Sequence, residues 1–174
     1  MPIHIESLAA AATAAERREL NELLGACVRG GASIGFLADI TEVEAGEYWD
    51  GVLCAVAAGA SFVLVARDEG GAIVASVQLA PALRRNGRHR AEVQKLMVLP
   101  ARRGRDLGTQ LMAEVEALAR SRALRLLFLD TSEGAGGARV FYEKLGYTYV
   151  GGIPGYALDP DGAPAKNAIF YKAL

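Results

Sequence analysis

Apolar residues recur along this chain with two periods, and each switch between them marks the edge of an element. Leu20, Leu23, Leu24 and Cys27 fall at helical spacing, which predicts an Ala-rich helix from about Thr13 to Val28, ended by Gly30 and Gly31 and preceded by a short strand within Ile3–Leu8. Thr41, with Glu44 three residues later, has the capping-box pattern and opens a second helix to about Ala58. Ser61–Arg67 and Ala72–Leu83 are apolar, β-branched runs joined by Asp68-Glu69-Gly70-Gly71, which reads as a hairpin, and Asn86-Gly87 turns the chain into a third strand carrying Glu92. Leu107, Leu111, Met112, Val115 and Leu118 repeat at 3.6 spacing over Leu107–Arg122, an amphipathic helix, and Ala123–Leu129 is the next buried strand. Strand, helix, strand in that order implies parallel neighbours joined by a right-handed crossover. A helix from about Gly137 to Leu145, a strand from Tyr147 and a closing strand Ala165–Lys172 complete one α/β domain spanning 1–174.

The stretch Glu92–Thr109, EVQKLMVLPARRGRDLGT, is where chemistry enters that pattern. An apolar run stops at Pro100, passes three arginines and two glycines, and becomes a helix at Leu107. The first turn of a helix leaves N–H groups unpaired and its dipole favours negative charge, while glycine lets a backbone nest approach a phosphate. The stretch therefore reads as an anion site for something phosphorylated, or as a plain helix cap. It holds neither GxxxxGK[ST] nor GxGxxG, so the nucleotide and dinucleotide loops are both excluded. Asp130, Thr131 and Ser132 are placed just past the end of the following strand, where open α/β sheets put their ligands.

Bulk properties narrow the class. A chain of 174 residues can bury about 70% of its unfolded surface without staples. A net charge of −1 offers no global field for nucleic acid or a membrane, and Arg84, Arg85, Arg88 and Arg90 read as a solvated hairpin tip. Cys27 and Cys54, in helical apolar patterns with no CxxC, read as buried free thiols. His4 and His89 are too far apart to suggest a metal cluster, and no metal is expected. No run reaches membrane-spanning length and the N-terminus lacks a signal pattern, so a cytoplasmic protein is expected.

Two spacings resemble the GNAT superfamily of N-acetyltransferases. Its Q/R-x-x-G-x-G/A is matched by Arg103 and Gly108, with Asp106 at the central glycine, and its A-x-x-[LF]-Y-x-K-x-G-[FY] is met in full by Ala138, Phe141, Tyr142, Lys144, Gly146 and Tyr147. The resemblance runs from about Ser61 to the end. Gly155–Gly162, followed by an aromatic strand, resembles the tabtoxin-resistance acetyltransferase branch more narrowly. The fold implied is α/β (α+β): a mixed, mostly antiparallel central sheet splayed at its middle and flanked by helices. The activity implied is transfer of acetyl from acetyl-CoA to an amine, less readily a hydroxyl, of a small molecule such as a toxin or antibiotic, by direct attack in a ternary complex. Two rivals stay open, a CoA-binding protein without catalysis and an acetyltransferase of protein lysines or N-termini; the small-molecule reading expects a closed pocket around Phe36, Tyr48 and Trp49. A homodimer is also left open.

The resemblance assigns roles by position. Acetyl-CoA would lie on Arg103, Gly104, Arg105, Asp106, Leu107, Gly108 and Thr109, and along Met97, Val98 and Leu99, with the Met97 amide at the carbonyl and with Tyr142 and Lys144 of the second motif nearby. Glu92 is the candidate base, directly or through water, with Asp130 orienting the amine or sharing the proton; a strand-end ion pair is the plainer reading of either. Two close carboxylates raise one pKa, which would help. Tyr142 would protonate the departing thiolate, where sequence alone makes it half of an aromatic core pair with Phe141. Asp39, Glu42, Glu44, Glu47, Tyr48 and Trp49 are candidates to meet a cationic acceptor, or a solvated helical face. Asp106 could cap the next helix yet weaken CoA binding, offset by Arg102, Arg103 and Arg105. Ala135, where the family commonly has asparagine, removes one polar cofactor contact.

Overall fold

The computed structural model describes residues 3–133 and 137–174; Ala135 lies outside them. The first strand, β1 (His4–Ser7), leads to helices α1 (Ala14–Arg29) and α2 (Glu42–Ala57), then to β2 (Phe62–Arg67), β3 (Ile73–Pro81) and β4 (Arg90–Val98). Helix α3 (Leu107–Ser121), β5 (Leu126–Ser132), α4 (Ala138–Lys144) and β6 (Thr148–Gly151) follow, then the small hairpin β7 (Ala157–Leu158) with β8 (Pro164–Ala165), and β9 (Asn167–Ala173). Seven strands form one sheet in the order β1-β2-β3-β4-β5-β9-β6, antiparallel throughout except where β4 runs parallel to β5. This is the mixed, mostly antiparallel sheet flanked by helices that the sequence led us to expect.

Each helix covers one face. Leu107, Leu111, Met112, Val115 and Ala119 of α3 join Tyr142 of α4 against Leu64, Ala66, Leu79 and Phe170 of the sheet. On the other face Leu20, Leu23, Leu24 and Cys27 of α1 and Trp49 and Leu53 of α2 cover Val63, Val65, Ile73 and Met97. The Trp49 indole N–H donates to the Leu20 carbonyl at 3.0 Å and ties the two helices together. Cys54 sits one position past buried Leu53, about 100° round the helix, and is exposed; the expected pair of buried thiols is one buried thiol, Cys27, and one exposed.

Local signals explain most boundaries. Asp68 Oδ1 accepts from the amides of Gly70 and Ala72 and closes the β2–β3 hairpin. Thr41 accepts from the Glu44 amide at 3.1 Å, the hydroxyl half of the expected box. Two boundaries move. Ala123 takes a left-handed turn (φ 57°) out of α3, so β5 begins three residues later than predicted. Asp130, Thr131 and Ser132 are not past its end but inside it, because antiparallel pairing with Ile169, Ala168 and Asn167 of β9 carries the strand on.

At Thr13 both halves of a capping box form: Glu16 accepts from the Thr13 amide at 2.7 Å, and its own amide donates to the Thr13 hydroxyl at 3.2 Å. Arg67 adds a bond to Glu16 at 2.5 Å and one to Glu6 at 2.6 Å. The Thr13 amide foremost, its hydroxyl next and Arg67 after them hold the Glu16 carboxyl below the usual glutamate range. A carboxylate with a depressed native pKa stabilises the fold above its ordinary titration range, and that contribution disappears as pH falls through the depressed value. Glu16→Gln should therefore lose about 1 kcal/mol at neutral pH. Urea unfolding should show the variant and parent converging in acid; a gap that persists there would mean the loss is steric and not ionic.

Candidate active site

The site begins where two strands part. β4 and β5 pair only through Arg90–Leu126, Ala91–Leu127 and Glu92–Phe128; beyond Glu92 they share no ladder. The cause lies in β4. Its register against β3 shifts between Gln78–Gln94 and Ser76–Met97, so Lys95 and Leu96 together face Val77, and Lys95 takes φ 49°. An extra residue in one strand bends it and increases its twist. It also reverses which face each side chain meets: Ala91 and Val93 pack toward α3 before the bulge, whereas Met97 packs toward α1 after it.

Two cavities meet at this gap, and Tyr142 lines both. The first, of about 670 Å³, is a groove between the outer half of β4 and the start of α4, lined by Leu96, Met97, Val98, Arg103, Gly104, Gly108, Thr131, Ser132 and Phe141. Backbone amides supply its polar edge. Leu99 donates to Val74 of β3 at 3.0 Å, so the two-residue alternation also turns Met97 toward β3, opposite Ser76, and turns the Val98 amide into the gap. The donor expected at Met97 thus belongs to its neighbour. Gly104 has φ 72° with open space around it, and a Cβ on Gly108 would stand 3.3 Å from the Phe141 ring, so both glycines keep the groove clear.

The polar loop at the groove's end differs from expectation at Asp106 and at two of its arginines. Asp106 is left-handed (φ 61°) as its unusual tolerance allows, but its carboxylate caps no amide of α3, since that conformation aims it away from the first turn. Arg102 is committed to Asp68 at 2.6 Å, and Arg103 donates to the Val98 carbonyl at 3.3 Å, leaving Arg105 as the arginine without a bond among the described residues. Leu107 is buried in the core and can offer only backbone. Lys144 is exposed and lines neither cavity, because two residues along a helix from Tyr142 points about 200° away.

The second cavity, of about 690 Å³, lies across the sheet between β3–β5 and the α1–α2 wall. Glu92 and Asp130 both line it, with Lys95, Gln78, Gln94 and Tyr48. Gln94 donates to Glu92 at 2.8 Å, and Asn167, buried on β9, donates to Asp130 at 3.4 Å while accepting from the Ile153 amide at 2.8 Å. Of the acidic and aromatic candidates on α2 and just before it, Glu47 and Tyr48 alone reach the cavity; Trp49 is core, and Asp39, Glu42 and Glu44 are exposed elsewhere. Phe36 stacks edge-on against Tyr48 at 5.2 Å, behind the lining. Burial pushes the Tyr48 phenol up to about 12, against the Gln78 amide that donates to it at 2.7 Å.

Tyr142 forms the aromatic core pair with Phe141 that the residues alone suggested, and it also lines both cavities. Its ring packs on Phe141 (5.1 Å) and Phe170 (5.4 Å), and its hydroxyl has no hydrogen-bond partner among the described residues. Burial pushes its pKa up to about 12, so it is a protonated donor at the junction of the two cavities. Lys95, Gln78 and Asn167 were missed in the sequence. A charge inside the apolar run Val93–Leu99 was the available signal for Lys95; nothing marked the other two.

Among the described residues no cluster of His, Cys, Asp or Glu could hold a metal, and no helix is long and apolar enough to cross a membrane. The groove does fit acetyl-CoA: unpaired strand amides, a glycine-opened turn and an exposed, amide-rich helix start suit pantetheine and phosphates.

The sequence model of the acetyltransferase (GNAT) family matches residues 16–147. The fold is shared with ribosomal-protein-alanine N-acetyltransferase from Brucella melitensis at 22% identity, covering 98% of this chain and 99% of that one, with a TM-score of 0.79. It is shared as well with an acetyltransferase-like protein of Salmonella typhimurium solved with its cofactor acetyl-CoA, at 15% identity, 100% and 95% coverage and a TM-score of 0.81. A phosphinothricin acetyltransferase from Sinorhizobium meliloti, in complex with acetyl-CoA, is similar at 18% identity, 100% and 89% coverage and a TM-score of 0.80.

Proposed function

Because the chain belongs to the GNAT acetyltransferase family, we propose that it moves the acetyl group of acetyl-CoA to the amine of a small molecule by direct attack, with the acceptor in the Glu92–Asp130 cavity. The observation that carries this reading is the junction: one groove with cofactor-type donors and one cavity with carboxylates, meeting at Tyr142 through a gap in the sheet. Acetyl-CoA supplies the activated acetyl group, and this chain supplies position, donors and proton handling.

The Val98 amide presents a fixed dipole where negative charge develops, an arrangement worth roughly 3–4 kcal/mol in acyl transfer. Glu92 receives the acceptor's proton, directly or through water. For an alkylammonium of pKa about 10.4, deprotonation near pH 7 costs about 4–5 kcal/mol, so a positioned base matters. Asp130, held by Asn167, orients the amine. Tyr142 gives a proton or a strong hydrogen bond to the leaving sulfur. Self-protection against an amine-bearing toxin is the narrower reading, supported by the Gly155–Gly162 resemblance and by a cavity sized for a small ligand.

Thermal unfolding with acetyl-CoA, with ATP and NAD as controls, tests the cofactor half; a ligand at a hundred times its Kd adds about 2.7 kcal/mol, a rise of several degrees. Free-thiol release across an amine panel tests the transfer half. Stabilisation without thiol release from any amine would replace the transferase reading with a CoA-binding one. In the same assay Asp106→Gly should tighten acetyl-CoA by about fivefold, since it removes a negative charge from the loop that leads into α3 and lets a glycine take the left-handed position. An unchanged Kd would show that the carboxylate does not face the ligand.

A further inference from the structure

The acceptor cavity contains a charge that an amine-binding site does not need. Lys95 is the bulge residue, at φ 49°, a conformation that a long side chain rarely adopts and that persists at functional positions because its surroundings impose it. The bulge turns its side chain into the cavity with Glu92 and Asp130. Its ammonium stands 6.0 Å from the centre of the Tyr48 ring, and Gly35 leaves it room: a Cβ there would come within 3.4 Å of Nζ.

No carboxylate lies within 4.0 Å of Lys95 and no hydrogen bond holds it among the described residues, whereas Lys166 at the same cavity is paired with Glu133 at 2.8 Å. Burial lowers its pKa, and the more distant charges of Asp130 and Glu92 act against that. Those two carboxylates already have amide partners in Gln94 and Asn167. A half-buried ammonium without a counter-ion is an incomplete site, and what completes it is an anion.

We infer that the acceptor is a zwitterion, an amino acid or small peptide-like molecule whose amine meets Glu92 and Asp130 and whose carboxylate meets Lys95. The inference rests on the reading of this cavity as the acceptor site. An acceptor that carries only positive charge would leave Glu92 and Asp130 to offset both it and Lys95; one with a carboxylate gives Lys95 a counter-charge of its own and is oriented at both ends.

The test pairs L-amino acids with the amines left by removing their carboxylates: L-methionine with 3-(methylthio)propylamine, L-phenylalanine with phenethylamine, L-lysine with cadaverine. Binding is read by thermal shift with CoA present, so it needs no turnover, and transfer by thiol release from acetyl-CoA. In the parent protein at least one amino acid should bind about tenfold more tightly than its amine. Lys95→Gln should raise the amino acid's KM or Kd by about tenfold and lower that of the amine, and Lys95→Arg should restore the parental order. Amines that match their parent amino acids, a Lys95→Gln effect equal for both members of a pair, or no binding across the panel would overturn the inference. Lys95-dependent amino-acid binding without thiol release would uphold it and remove the transferase reading instead.

Discussion

Tyr142→Phe should lower kcat by about 100-fold, close to 2.7 kcal/mol, with the acetyl-CoA Kd and the melting temperature almost unchanged. The fold should tolerate the change because the ring, not the hydroxyl, makes the contacts: Phe141, Tyr147 and Phe170 pack around it at 5.1–5.9 Å. The hydroxyl has no partner to lose among the described residues, so its removal breaks no bond of the fold. What the variant does lose is the donor at the junction of cofactor groove and acceptor cavity. Since burial holds this phenol near 12, it stays protonated through the usual assay range, and the pH–rate profile should show no limb from its ionisation below about pH 11. A kcat within about threefold of the parent would reduce Tyr142 to an aromatic core residue and move the proton to water.

The second large effect is expected far from the reacting atoms. Gly152→Ala should destabilise the fold by about 3 kcal/mol or more, because the new Cβ would land on the Asn167 backbone carbonyl, which cannot yield as a flexible side chain could. This is where β6 leaves β9: the register shifts between Tyr149 and Gly151, and the Ile153 amide reaches the Asn167 side chain at 2.8 Å. Asn167 in turn donates to Asp130. Loosening that clasp should raise KM for the acceptor more than it raises the acetyl-CoA Kd, since Asn167 and Asp130 both line the acceptor cavity whereas the cofactor groove adjoins β9 only through Thr131 and Ser132. Unfolding in urea gives the first number and steady-state kinetics the second. A variant as stable as its parent would show that the β6–β9 corner opens without cost.

The helices and the run from β1 to β5 were legible because their signals are local, whereas the insertion of β9 between β5 and β6 was not. A capping threonine, a 3.6-residue apolar stripe and a turn such as Asp68–Gly71 act over four to sixteen residues and need no partner. The cofactor groove was legible for a related reason: its donors are mostly backbone, so a glycine-opened strand-to-helix turn announces it whatever the side chains are. Lys144 and the Met97 amide were misplaced because each needed an angle. The first is 200° round a helix from Tyr142, and the second is one residue out of phase with the ladder.

The sequence by itself determined most of the elements and the family, and with these the kind of reaction, since all follow from spacing along the chain. Tertiary structure alone decided the acceptor site. One extra residue in β4 reverses the alternation of the strand and opens the sheet beyond Glu92. It also brings Lys95 into a cavity with Asp130, a residue 35 positions away, which Asn167 of a third strand holds in place. A bulge changes the direction of every side chain after it, and nothing in the composition of Val93–Leu99 records where that phase change falls.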